Sequence, residues 1–246
     1  MKEIRILRVV FDVQIEPYEI PALRAALAEK AGWEHSLFHN HASADKVIYR
    51  YPLIQYKTYR KQPILFCIEA GVDEAHHFFQ NKSWQIRIGD KQLDLKVESL
   101  DLRKVKVGIW KTKFRYRMWN WVGLNPKNFE EYGKLEGIKN QIEFLEKKII
   151  GNILSFAKGI GWRIEEQIKV DILDLSPMKT IKLKKTKLSA FDLTFQTNVS
   201  LPQYMGLGKS PSIGYGMIKT IRSTRSTNDE SEENDSVPGR APAQDR

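Results

Sequence analysis

Hydrophobic and polar positions follow two periods along this chain, and the period switches from one segment to the next. Ile4–Val13 is an apolar run broken by charges and reads as a strand. In Pro21–Ala31, Leu23, Leu27 and Ala31 recur every four residues, the spacing of one helix face, and Gly32 supplies the stop. Val47–Lys57 reads as a strand. Pro52 marks an edge or a bulge within it, because proline has no N–H for the ladder. Thr58–Gln62 turns, Pro63–Glu69 returns as a buried strand, and Asp73–Gln80 forms a short helix. Trp84–Ile88 and Leu93–Val97 form a hairpin around Gly89 and Asp90. This order of strands and helices is that of a ferredoxin-like domain.

The second half repeats the theme. Ile109–Met118 is a strand. Asn125–Lys158 is mostly helix, with Ile138, Ile142, Leu145, Ile149 and Ile153 as its apolar stripe and Gly159 and Gly161 at its end. Glu165–Leu175, Lys179–Lys185, Leu188–Val199 and Gly216–Ile221 are strands. The expectation is an α+β chain of two tandem ferredoxin-like domains, residues 1–102 and 103–222, with the boundary near 100–107. Residues 223–246 have almost no apolar side chains and are expected to be a disordered tail.

Charge adds a partner to this outline. The net charge is +10, but the tail carries six acids against three bases, so residues 1–222 carry +13. So basic a body calls for a polyanion, and nucleic acid is the commonest. Membrane headgroups are the rival, but no basic amphipathic helix is long enough to lie in a bilayer surface. No run reaches the ~18 apolar residues of a membrane helix, and the start lacks a signal-peptide pattern, so a cytoplasmic protein is expected. The single cysteine, Cys67, excludes an internal disulfide and a multi-thiolate metal site, and reads as core.

Gly206, Gly208, Gly214 and Gly216 stand within eleven residues, with Lys209 and Ser210 among them. Such a loop is either a tight turn or a nest of N–H groups that can grip phosphate. Gly208, Lys209 and Ser210 imitate the end of a nucleotide-binding P-loop, but Gln203 stands where that motif needs glycine, and Pro211 opposes the helix that should follow. In Trp110–Met118, Lys111, Lys113, Arg115 and Arg117 fall at period two and so share one face of a strand. Lys182 and Lys184 form a shorter stripe of the same kind. Four like charges in a row repel one another, and a facing phosphate backbone relieves that cost. Exposed aromatic side chains beside them can stack RNA bases.

His39 and His41 lie in a polar segment after the first helix. Histidine exchanges protons near neutral pH. Two at i and i+2 on extended backbone can serve one substrate as base and acid. RNA brings its own nucleophile, the 2′-OH. Two bland readings compete. His-x-His is half of many metal sites, though no further ligand stands at a familiar spacing; otherwise these are ordinary loop histidines. His35 reads as the helix exit, and His76 and His77 are helix neighbours that point apart.

Together, His39 and His41, the run from Tyr51 to Lys57, and the glycine spacing of 206–216 resemble the CRISPR-associated endoribonucleases that cut precursor CRISPR RNA within its repeats. These are RAMP proteins with RRM-like domains, and the likeness is to the b-type branch, over about residues 1–222. The resemblance implies cleavage with no metal or other cofactor. The 2′-OH attacks the adjacent phosphate, leaving a 2′,3′-cyclic phosphate and a 5′-hydroxyl. It implies His39 and His41 as the catalytic pair, with base and acid unassigned, and Tyr49 or Tyr51 as assistant. Lys46 and Lys57 are candidate electrostatic helpers. Lys111, Lys113, Arg115, Arg117, Lys182, Lys184 and the glycine loop, with Lys209 and Ser210, are expected to hold RNA. The implied partner is CRISPR repeat RNA in the precursor transcript; an effector complex and a homodimer stay open, and so does a RAMP subunit that holds guide RNA without cutting it.

Overall fold

The computed structural model describes residues 1–221, apart from 33–34, 40, 44–45, 48–49, 81–83 and 184–185, with the side chains of 39, 41–43, 46–47, 77 and 182 also outside the description. The expected tail, 223–246, lies outside the described residues.

In chain order the elements are β1 (Lys2–Phe11), α1 (Ile20–Ala31), α2 (Ser36–His39), β2 (His41–Ser43), β3 (Lys46–Val47), β4 (Ile54–Tyr59), β5 (Gln62–Ile68), α3 (Ala70–Phe79), β6 (Gln85–Ile88), β7 (Lys91–Asp94) and β8 (Val97–Trp121). Then follow α4 (Pro126–Gly133), α5 (Ile138–Gly159), β9 (Val170–Leu175), β10 (Lys179–Leu183), β11 (Thr186–Ser200) and β12 (Met217–Ile221). No described helix is long and apolar enough to cross a membrane.

The first half pairs its strands in the order β8, β1, β5, β4, all antiparallel. That is the ferredoxin-like order, last strand beside the first and the central hairpin outside. β5 is buried on both faces from Pro63 to Ile68, and α3 packs against it. Ile20, Leu23, Leu27 and Ala31 form the buried side of α1, and Gly32 ends it at φ 94° with its N–H on the carbonyls of Ala28 and Glu29. The turn between β4 and β5 sets Arg60 and Lys61 at φ 52° and 67°, the paired left-handed geometry of a two-residue hairpin.

The second half repeats this order as β12, β8, β11, β9. β10 folds back on the start of β11. Asn125 caps α4, its side chain accepting from the N–H of Asn128. Leu145, Ile149, Ile153 and Phe156 of α5 are buried, whereas Ile138, expected in the stripe, is exposed in the first turn.

The expected hairpin around Gly89 and Asp90 is present as β6 and β7, and β8 then runs unbroken for 25 residues, through the strand expected at Ile109–Met118. Its first part pairs with β1 and its second with β11 and β12, so the expected boundary at 100–107 lies inside a ladder. No proline interrupts it, and Gly108 keeps its place opposite Ser200. The strand expected over 47–57 is divided: β3 ends at Val47 and β4 starts at Ile54, and Tyr51 between them is buried against Gly206 and Phe156.

Candidate functional site

The histidine segment hangs from an anchored turn. Phe38 is buried with its ring 5.4 Å from Phe78 on α3, and its carbonyl accepts a 3.0 Å hydrogen bond from the hydroxyl of Tyr56 on β4. His35, expected only as the helix exit, meets the carboxylate of Glu74 on α3. His39 is the last residue of α2 and His41 the first of β2. In the small β2–β3 ladder His41 pairs with Val47, and Ser43 with Lys46. So the backbone sets His39, His41 and Lys46 close in one short excursion between α1 and β4. Tyr49 lies outside the described residues.

Tyr51 and Lys57 take another place. Tyr51 is buried, and its hydroxyl donates to the Gly206 carbonyl at 2.9 Å. The same oxygen accepts from Gln55 Nε2, and Gln55 Oε1 accepts the N–H of Gly206, both at 2.9 Å. The Tyr51 ring packs edge-on to Phe156 at 5.2 Å. Burial pushes its hydroxyl pKa far up, which opposes proton exchange at neutral pH. Lys57 is wholly buried, and its ammonium donates to the Pro211 carbonyl at 3.3 Å. Desolvation pulls its pKa down to about 7. Both side chains are thus buried in the seam between the halves, apart from the segment that carries His39 and His41.

The glycine loop is the other side of that seam. Gly206 and Gly216 are buried, and the Gly216 N–H bonds the Asn120 carbonyl at 3.2 Å. The N–H of Lys209 bonds Val122, and that of Leu207 bonds Gly216. A phosphate nest needs free donors, and the amides of Gly206 and Gly216 bond Gln55 and Asn120 inside the protein. The glycines serve close approach. A Cβ on Gly216, at φ 63°, would collide with the Leu207 carbonyl, and one on Gly208 would lie 2.8 Å from the Trp121 ring. Ser210 is left-handed and leads into a three-residue turn, Pro211–Ile213, not a phosphate-binding helix. Lys209 alone in the loop is exposed.

The basic stripe keeps its alternation. Lys111, Lys113 and Arg115 are exposed and Arg117 is half-buried, while Tyr116 and Met118 point into the core. Two of the cations are met by acids: Lys113 pairs with Asp171 at 2.8 Å and Arg117 with Asp174 at 2.6 Å. Lys111 and Arg115 have no acidic partner among the described residues. Lys219 of β12 stands opposite Arg117 and extends the stripe. The Lys182 side chain and Lys184 lie outside the description. Among the described residues no group of three or more His, Cys, Asp or Glu side chains could hold a metal ion.

Two family models match this chain back to back: the Cas6b N-terminal domain over residues 2–106 and the Cas6b C-terminal domain over residues 108–221. The chain belongs to the Cas6b family. A solved Cas6b superposes with TM-score 0.82 at 26% identity, over 89% of this chain and all of that one. A second structure, titled a CRISPR RNA processing endoribonuclease Cas6b, gives TM-score 0.69 at 25% identity over 89% of this chain and all of that one. An uncharacterised protein of Methanocaldococcus jannaschii, MJ0978, is 33% identical over 112 residues, 45% of this chain and 75% of its own. The Cas6b assignment agrees with the ferredoxin-like strand orders of the two halves and makes this a RAMP protein of the CRISPR RNA processing type. Sequence reasoning missed Gln55, the residue that ties Tyr51 to Gly206; a glutamine inside an apolar strand was the available signal.

Proposed function

We propose that this protein is an endoribonuclease that cuts the repeats of precursor CRISPR RNA without a metal ion. The 2′-OH next to the scissile bond attacks phosphorus while the 5′-oxygen leaves, giving a 2′,3′-cyclic phosphate and a 5′-hydroxyl. One of His39 and His41 takes the 2′-OH proton, and the other delivers a proton to the leaving oxygen. Tyr49 assists, and Lys46, paired in the backbone ladder with Ser43, supplies positive charge to the phosphate. Residues 1–102 carry this site, and residues 103–222 carry the basic stripe, with Lys111, Arg115 and Lys209 contacting phosphates.

The observation that carries the reading is the fixed turn at Phe38, in a member of the Cas6b family. It leads into His39, the last residue of α2, and His41, the first of β2. The test is cleavage of the repeat RNA from the same genome with EDTA present. We expect a single product pair, loss of at least about 10²-fold in rate for His39→Ala with His41→Ala, and no cutting when the scissile nucleotide lacks its 2′-OH. Activity that EDTA abolishes, or that survives the double substitution, overturns the proposal. Tight, salt-sensitive binding with no product identifies a guide-holding subunit instead.

A further inference from the structure

On the side of the molecule that bears the basic stripe, the two halves meet around a cleft of about 390 Å³. Ligand pockets run from about 300 to 1,000 Å³, so this one suits a single small moiety. Tyr18 and Thr58 come from the first half; Trp119, Asn120, Tyr215 and Met217 come from the second. Gly214 forms part of the floor at φ 92°, where a Cβ would lie 3.0 Å from Ile20 of α1. The glycine loop thus lets the halves approach closely enough to make this cleft.

Three observations say what it accepts. First, Tyr18, Trp119 and Tyr215 offer three rings, none in contact with another aromatic ring among the described residues. The core aromatics differ: Tyr116 packs on Phe195 and Trp121 on Phe191. Second, the Trp119 indole N–H, the Asn120 carboxamide and the hydroxyls of Thr58 and Tyr215 make no hydrogen bond within the described residues. The indoles of Trp121 and Trp110 do, to Asn152 and Ser200 at 2.9 Å each. Third, the cleft caps the basic stripe. Met217 pairs with Trp119, and the next pairs along the same face are Lys219 with Arg117 and Ile221 with Arg115. The acids that flank Pro17 and Tyr18 in the chain, Glu16 and Glu19, are paired with Lys61 and Lys91 at 2.7 Å each.

Flat π surfaces ringed by unused donors and acceptors, at the end of a row of cations, match one ligand chemistry: an unpaired nucleobase on a phosphate chain. A phosphate alone would use the cations but not the rings, and a neutral sugar would use the rings but not the cations. We infer that this cleft stacks one unpaired base of the substrate RNA, with the adjoining phosphates lying along Lys219 and Arg115. The inference rests on the RNA function proposed above and gives that function a base-reading subsite.

The test uses the full chain and its genome's repeat RNA, with a 2′-deoxy scissile nucleotide to block cleavage and 2-aminopurine placed at each position in turn. We expect one position to be quenched on binding, because stacking quenches this base. An abasic substitution there weakens binding about tenfold, the scale of one base–aromatic stack. Tyr18→Ala and Trp119→Leu each remove the quench and make abasic and intact RNA bind alike; Trp119→Phe keeps both. Tyr18 is 77% exposed, so its truncation leaves folding intact even where Trp119→Leu does not. A flat abasic scan, or a quench that both variants retain, overturns the cleft while normal cleavage of unmodified RNA leaves the proposed function standing. Failure to bind the RNA at all overturns both.

Discussion

The two halves share a strand order and differ in the connection that leads to the last strand. In the first half, β5 reaches β8 through the β6–β7 hairpin and, before it, α3, whose Phe78 packs against Phe38 and whose Asp73 pairs with Arg5 of its own sheet. In the second half, β11 reaches β12 through residues 201–216, which hold only a three-residue helical turn. A helix closes its own domain. The glycine segment instead closes the seam between domains, through Gly206 on Gln55 and Tyr51, Pro211 on Lys57, and Gly214 beside Ile20. A ferredoxin-like half can thus give up its second helix when the freed segment gains an equivalent burial against a neighbour.

The comparison is broken most strongly at Gly216. Gly216→Val puts a branched side chain at a left-handed position and against the Leu207 carbonyl. We expect a loss of at least about 3 kcal/mol in chemical denaturation, against far less for any single surface change on α3. Gln55→Leu comes next. It strands the Gly206 N–H and removes a partner of the Tyr51 hydroxyl, at a cost of about 2–3 kcal/mol, read in the same experiment.

Lys57 gives a smaller, pH-dependent effect. Its folded pKa of about 7 lies below its unfolded value of 10.5, so the unfolded chain binds more protons between those values. Stability therefore rises with pH across that window. Between pH 7 and 8.5 we expect wild type to gain about 1–2 kcal/mol of stability, while Lys57→Met, with nothing to titrate there, stays flat by comparison. Parallel curves for the two proteins would mean that Lys57 keeps its ordinary proton. The smallest effect is on the helical crossover. Asp73→Asn loosens an exposed pair with Arg5 and should cost under about 1 kcal/mol. A larger loss there than at Gln55 would reverse the contrast between the two connections.

Much of the architecture was written in the sequence because it is local. The fourfold spacing of Leu23, Leu27 and Ala31 with Gly32 after it gave α1, and the alternation of Lys111 to Arg117 with Tyr116 and Met118 gave the face of β8. Repeating those patterns twice gave two ferredoxin-like units, and the spacing of His39, His41 and the four glycines pointed to the family that the domain matches establish. Tertiary structure alone decided what distant groups do to one another. Tyr51 and Lys57 look like surface chemistry in the sequence, yet residues some 150 positions away bury them. The glycine loop looks like an anion nest, yet its amides find partners on Gln55, Val122 and Asn120. Asp171 and Asp174 mute half of the basic stripe from two strands away. Backbone periodicity is fixed within a few residues, whereas desolvation and hydrogen-bond partners depend on which chain segments meet, and a sequence pattern does not carry those meetings.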